Sequence, residues 1–89
     1  MLLLGRKSAK ERVAAFLMKL RRQSLDRGYD DTQIAVPMTR EIIGDYLGLT
    51  TETISRTVTD FRRQGLISAT EGHSIRLYDI PTLQEIASN

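Results

Sequence analysis

The 89 residues predict a small, mainly helical α+β domain, and three observations carry that reading. Apolar residues recur at helical spacing, most clearly Ile54, Val58 and Phe61 at i, i+4 and i+7. The helical stretches open on hydroxyl residues (Ser8, Thr39, Thr50) and close near glycine (Gly28, Gly48, Gly65), which suits helix starts and stops. After Gly65, two short runs that alternate or stay apolar flank Glu71-Gly72-His73 and predict a β-hairpin.

Taken in order, Leu2, Leu3 and Leu4 have no obvious partner. They read either as a tail folded onto the body or as the stump of an upstream element. Ser8 caps a first helix, with Glu11 three positions on as the second half of a capping box. Val13, Phe16, Leu17, Leu20 and Leu25 form its buried stripe, while Lys10, Arg12, Lys19, Arg21 and Arg22 face water. Tyr29 to Gln33 is a polar loop, and Ile34 to Met38 is extended because Pro37 disfavours helix before it. Thr39 caps a helix from Arg40 to Leu47 with Ile43 and Leu47 inward, and Gly48 ends it in a left-handed turn. Thr50 caps the next helix, which runs to Gln64.

Two helices on a short glycine-containing turn form a helix-turn-helix, and Gly44 suits a close crossing there. Residues 66–70 and 74–78 form the hairpin, placed directly after the second helix as a wing. Asp79 caps a last short helix, Ile80 to Ala87, with Pro81 tolerated in its first turn. The prediction is therefore a winged helix-turn-helix: a three-helix core, a hairpin wing and a short C-terminal helix.

A chain this short holds one modest core. The net charge is +2 but uneven. Residues 1–28 carry eight Lys or Arg against two Asp or Glu, residues 29–50 one against four, and residues 51–89 four against five. Basicity is thus an N-terminal property, and overall charge alone does not argue for nucleic acid. The absence of cysteine removes disulfides, thiol catalysis and cysteine-based metal centres, and fits a cytoplasmic protein. The leading Met-Leu-Leu-Leu-Gly is too short for a signal peptide or membrane span.

The outward face of the 50–64 helix shows Thr51, Glu52, Ser55 and Arg56, short or forked hydrogen-bonding groups that suit base reading. Here the chain resembles the C-terminal winged-helix domain of the CRP/FNR transcription regulators. The matching residues are Thr39-Arg40, Ile43-Gly44, Leu47-Gly48, Thr50, Glu52-Thr53-Ile54-Ser55-Arg56 and Gly65-Leu66-Ile67-Ser68. The resemblance extends from about Gly5 to Tyr78. Glu-x-x-Ser-Arg resembles the FNR and FixK branch; the cyclic-AMP receptor branch has Arg in place of Thr51 and Gly in place of Ser55.

The resemblance implies residues 1–7 as the end of a hinge or dimer helix, and residues 8–89 as the DNA-binding domain. The parent regulator would be a homodimer that contacts RNA polymerase and senses its signal through a β-barrel outside these residues. This chain alone is expected to be a monomer or weak dimer, to need no cofactor, and to sit in no membrane. The implied target is double-stranded DNA with inverted TTGA and TCAA half-sites.

Arg56 offers a planar fork for guanine O6 and N7, worth about 1–3 kcal/mol of discrimination. Glu52, one turn earlier, suits the amino group of the paired cytosine and stands i, i+4 to Arg56 for mutual orientation. Ser55 is assigned to a nearby A·T pair. Thr39, Arg40, Thr50, Thr51 and Thr57 are the expected backbone contacts, with His73 and Ser74 at the wing tip either on a phosphate or in an exposed turn. Capping and phosphate contact are compatible roles for Thr39 and Thr50. His73 lacks the neighbours a metal site needs, and no nucleophile elbow, phosphate loop or ligand spacing points to an enzyme. The competing reading is a winged-helix protein-interaction module without base readout.

Overall fold

Capping chemistry sets the helix boundaries. The computed structural model describes residues 8–28, 32–36, 38–68 and 73–88. The Glu11 backbone N–H donates to Ser8 Oγ at 3.2 Å, and Ser8 N donates to Glu11 Oε1 at 2.6 Å, a reciprocal capping box that starts α1 (Ala9–Asp26). Thr39 accepts from Ile42 N at 3.2 Å and starts α2 (Arg40–Leu47). Thr50 accepts from Thr53 N at 3.1 Å and starts α3 (Thr51–Arg63). The Asp79 carboxylate accepts from Thr82 N at 3.2 Å and from its hydroxyl at 2.8 Å, opening α4 (Ile80–Ser88), one residue longer than expected.

Among the described residues two strands complete the order: β1 (Gln33–Ala35) precedes α2, and β2 (Ser74–Arg76) follows α3. They pair antiparallel, with Ile34 opposite Ile75, and Arg76 reaches across to the Gln33 side-chain carbonyl at 3.1 Å. The expected hairpin is present on the other edge of β2 as a single bridge, Ile67 to Leu77. Ser68 N donates to Arg76 O at 2.9 Å, and Tyr78 N to Leu66 O at 2.8 Å. The segment 66–68 and β1 thus flank β2. The sequence reading missed the β1–β2 pairing. The hairpin turn around Gly72, the loop residues 29–31, Pro37 and the leading residues 1–7 lie outside the described residues.

α1 packs along α4 and crosses α3 and β1. Phe61, Ile34, Ile54, Ile67 and Leu83 are the largest fully buried side chains, so α3, the strand segments and α4 all meet at one core. Three expectations need correction. Leu25 is 46 % exposed, because the last turn of α1 stands clear of the elements packed on the earlier ones. Arg12 does not simply face water: it is half-buried and bonded to the end of α2. Arg21 is half-buried too, its Nε shut off from solvent, because a long side chain lays its stem along the body.

Candidate nucleic-acid interface

The α2–turn–α3 unit is fixed by backbone geometry. Gly48 adopts φ 72°, a left-handed conformation that L side chains rarely take. The next residue folds the turn back: Leu49 N donates to Gly44 O at 2.8 Å. A Cβ on Gly44 would collide with the Leu49 carbonyl oxygen. The close approach that requires glycine at position 44 is therefore made by the turn's own backbone, where a crossing helix was expected.

α3 divides sharply into two faces. Ile54, Thr57, Val58 and Phe61 are buried, and Thr51, Glu52 and Arg56 are exposed, with Ser55 half-buried beside them. Glu52 and Arg56 lie one turn apart on the outward face. The ion pair their spacing allows is not formed, and neither head group is engaged by another among the described residues. Glu52 in the first turn and Arg62 and Arg63 in the last also complement the helix dipole, which gives those charges a local role.

The expected backbone-contact residues separate under the geometry. Thr39 and Thr50 are exposed caps, but their hydroxyls differ. Thr50 gives its proton to Thr53 Oγ1 at 2.9 Å, whereas among the described residues Thr39 only accepts and keeps a proton to donate. Arg40 and Thr51 are exposed at the N-terminal ends of α2 and α3. His73 is exposed, with its carbonyl taken by Val36 N, and Ser74 is half-buried in β2. Thr57 departs from expectation. It is 5 % exposed and donates its hydroxyl to Thr53 O at 2.8 Å, so it faces the core and presents nothing outward. Counting round the helix at 100° per residue puts position 57 beside the apolar stripe, a signal available in the sequence. Among the described residues no cluster of His, Asp or Glu suits a metal ion, and no helix is long and apolar enough to cross a membrane.

A family model for the Crp-like helix-turn-helix domain matches residues 11–86. The chain belongs to the Crp-like helix-turn-helix family. Within that family it is 47 % identical over 89 residues to the nitrogen fixation regulation protein FixK of Bradyrhizobium diazoefficiens, covering 99 % of this chain and 37 % of that protein. It is 41 % identical over 88 residues to the fumarate and nitrate reduction regulatory protein of Escherichia coli, covering 99 % of this chain and 35 % of that one. The solved structure of FixK2 from Bradyrhizobium japonicum superposes with a TM-score of 0.82 at 42 % identity, over 97 % of this chain and 41 % of that chain. This Crp-like domain spans about a third of the length of the curated relatives it matches.

Proposed function

We propose that this Crp-like domain is the sequence-specific DNA-binding part of a transcription regulator of the CRP/FNR family, and that α3 reads the major groove. The observation that carries the proposal is the outward face of α3, where Glu52 and Arg56 stand exposed beside a capped N-terminus, engaged by no other side chain among the described residues. Arg56 reads guanine and Glu52 the cytosine paired with it, in TTGA and TCAA half-sites, with Ser55 on an adjacent A·T pair. Thr39, Arg40 and Thr51 set the register on phosphates. The relatives are named as regulators, and a regulator reading inverted half-sites works as a dimer, in the cytoplasm, in contact with RNA polymerase. The domain needs no cofactor for this reading.

A protein-interaction module would place apolar anchors on that outward face of α3. The exposed apolar side chains of the helix-turn-helix, Ile42 and Tyr46, lie on α2 instead.

The test is a fluorescence-anisotropy titration of the chain against a duplex with TTGA and TCAA half-sites. A second duplex carries both G·C pairs inverted, and both are run at low and moderate salt. The expected result is a preference for the first duplex that Arg56→Ala removes, a loss of about 1–3 kcal/mol. Equal, salt-sensitive binding to both duplexes would sink the base assignment and leave only phosphate attraction.

A further inference from the structure

The last turn of α2 holds Asp45 and no basic residue. The unpaired carbonyls and the negative end of the dipole at a helix C-terminus favour a cation there. α1 supplies it. Arg12 Nη1 donates to Leu47 O at 3.1 Å, a contact across 35 positions of chain. The same nitrogen lies 3.5 Å from where a Cβ on Gly48 would sit, so the guanidinium rests against the turn that joins α2 to α3.

Two more side chains on that face of α1 reach the same end of α2. The Phe16 ring is 5.8 Å from the Tyr46 ring, and Lys19 Nζ donates to Tyr46 Oη at 2.7 Å while lying 5.2 Å from the ring centroid. Positions 12, 16 and 19 are spaced i, i+4 and i+7, one stripe of a helix. The backbone of α1 packs closely on α3 but not on α2, so long side chains carry much of the link between α1 and α2, and with it the turn that joins α2 to α3.

We propose that Arg12 is a positioning residue: by bonding the last carbonyl of α2 it fixes the turn, and with it the direction in which α3 presents Glu52 and Arg56. The inference rests on the DNA-reading function proposed above. Its effect falls on discrimination more than on attachment. Forked hydrogen bonds to a base edge demand a set geometry, whereas attraction to phosphates is long-ranged and tolerant.

The experiment compares Arg12→Met, Arg12→Lys and the unaltered chain. One readout is the backbone amide spectrum and hydrogen exchange without DNA; the other is the two-duplex titration. Arg12→Met should shift the amides of residues 48–53 and speed exchange at Leu49, and leave those of α4 in place. Its preference for the matched duplex should fall on the order of tenfold with an unchanged salt slope, and Arg12→Lys should restore most of it. If Arg12→Met does not fold, Arg12→Gln, polar but too short to reach the Leu47 carbonyl, takes its place with the same expected outcomes.

Unmoved amides at 48–53 overturn the proposal, as does an unchanged preference despite moved amides. An equal loss on both duplexes with a salt slope shallower by about one would make Arg12 a phosphate contact and also overturn it. If the unaltered chain shows no preference, the DNA-reading function has failed. The amide readout then decides on its own whether Arg12 holds the turn.

Discussion

Leu49 meets Gly44 with both of its backbone polar groups: its N–H donates to the Gly44 carbonyl at 2.8 Å, and its carbonyl oxygen occupies the space a Gly44 side chain would need. Gly44→Ala would normally favour a helix interior by about 1 kcal/mol. Here the obstructing atom is backbone in a tight turn, so overpacking should outweigh that gain. The expected outcome is a net destabilisation of roughly 1–3 kcal/mol, read as a lower midpoint in a thermal melt followed by circular dichroism. An unchanged or higher midpoint would mean the turn yields.

Thr57→Val separates a core residue from a phosphate contact. The buried hydroxyl is replaced by a methyl of similar size, and Thr53 O loses one of the bonds it accepts. Stability should change by no more than about 1 kcal/mol, and the affinity and salt dependence of DNA binding should stay as they were. A marked loss of affinity with stability intact would restore Thr57 to the interface.

The two caps should behave differently. Thr39→Ala and Thr50→Ala should each cost about 1 kcal/mol of stability. Only Thr39 has a hydroxyl proton to offer a phosphate, since Thr50 spends its own on Thr53. At a temperature where both variants are fully folded, Thr39→Ala should weaken binding to matched and inverted duplexes alike, and Thr50→Ala should weaken neither. Anisotropy titrations of the two variants side by side make the check.

Arg40→Gln removes an exposed charge at the start of α2. The plot of log affinity against log salt should become shallower by about 0.9, with the ratio between duplexes unchanged. A slope identical to that of the unaltered chain would take Arg40 off the DNA.

Most of the helical frame was legible because its signals are local. Ser8 with Glu11, Thr39, Thr50 and Asp79 each mark a helix start within three or four residues, and Gly48 marks a turn by itself. The 54–58–61 stripe oriented α3 and so exposed Glu52 and Arg56. What was not legible depends on distant partners. β1 and β2 are three residues each, too short for an alternating pattern to declare itself, and they pair across about forty positions of chain. Nothing near Arg12 in sequence distinguishes it from its solvated neighbours; only the fold brings Leu47 to it. Leu25 failed for a related reason, since an apolar residue at helical spacing is buried only where another element arrives to cover it.

The packing of α1 against α4 bears on how the domain is made. The helix that presents Glu52 and Arg56 is complete at Arg63, but Leu83, wholly enclosed in the core, belongs to the last helix. A chain emerging from the ribosome therefore finishes α3 before the wedge that closes the body behind it. Until Leu83 arrives, the α1 surface that α4 covers stays open to water and to chance partners. A nascent chain halted before Asp79 should bind a hydrophobic dye and exchange its α1 amides quickly, and release past Ser88 should end both. The surface proposed to meet DNA is thus the early product of synthesis, and the closing of the core behind it is the late one.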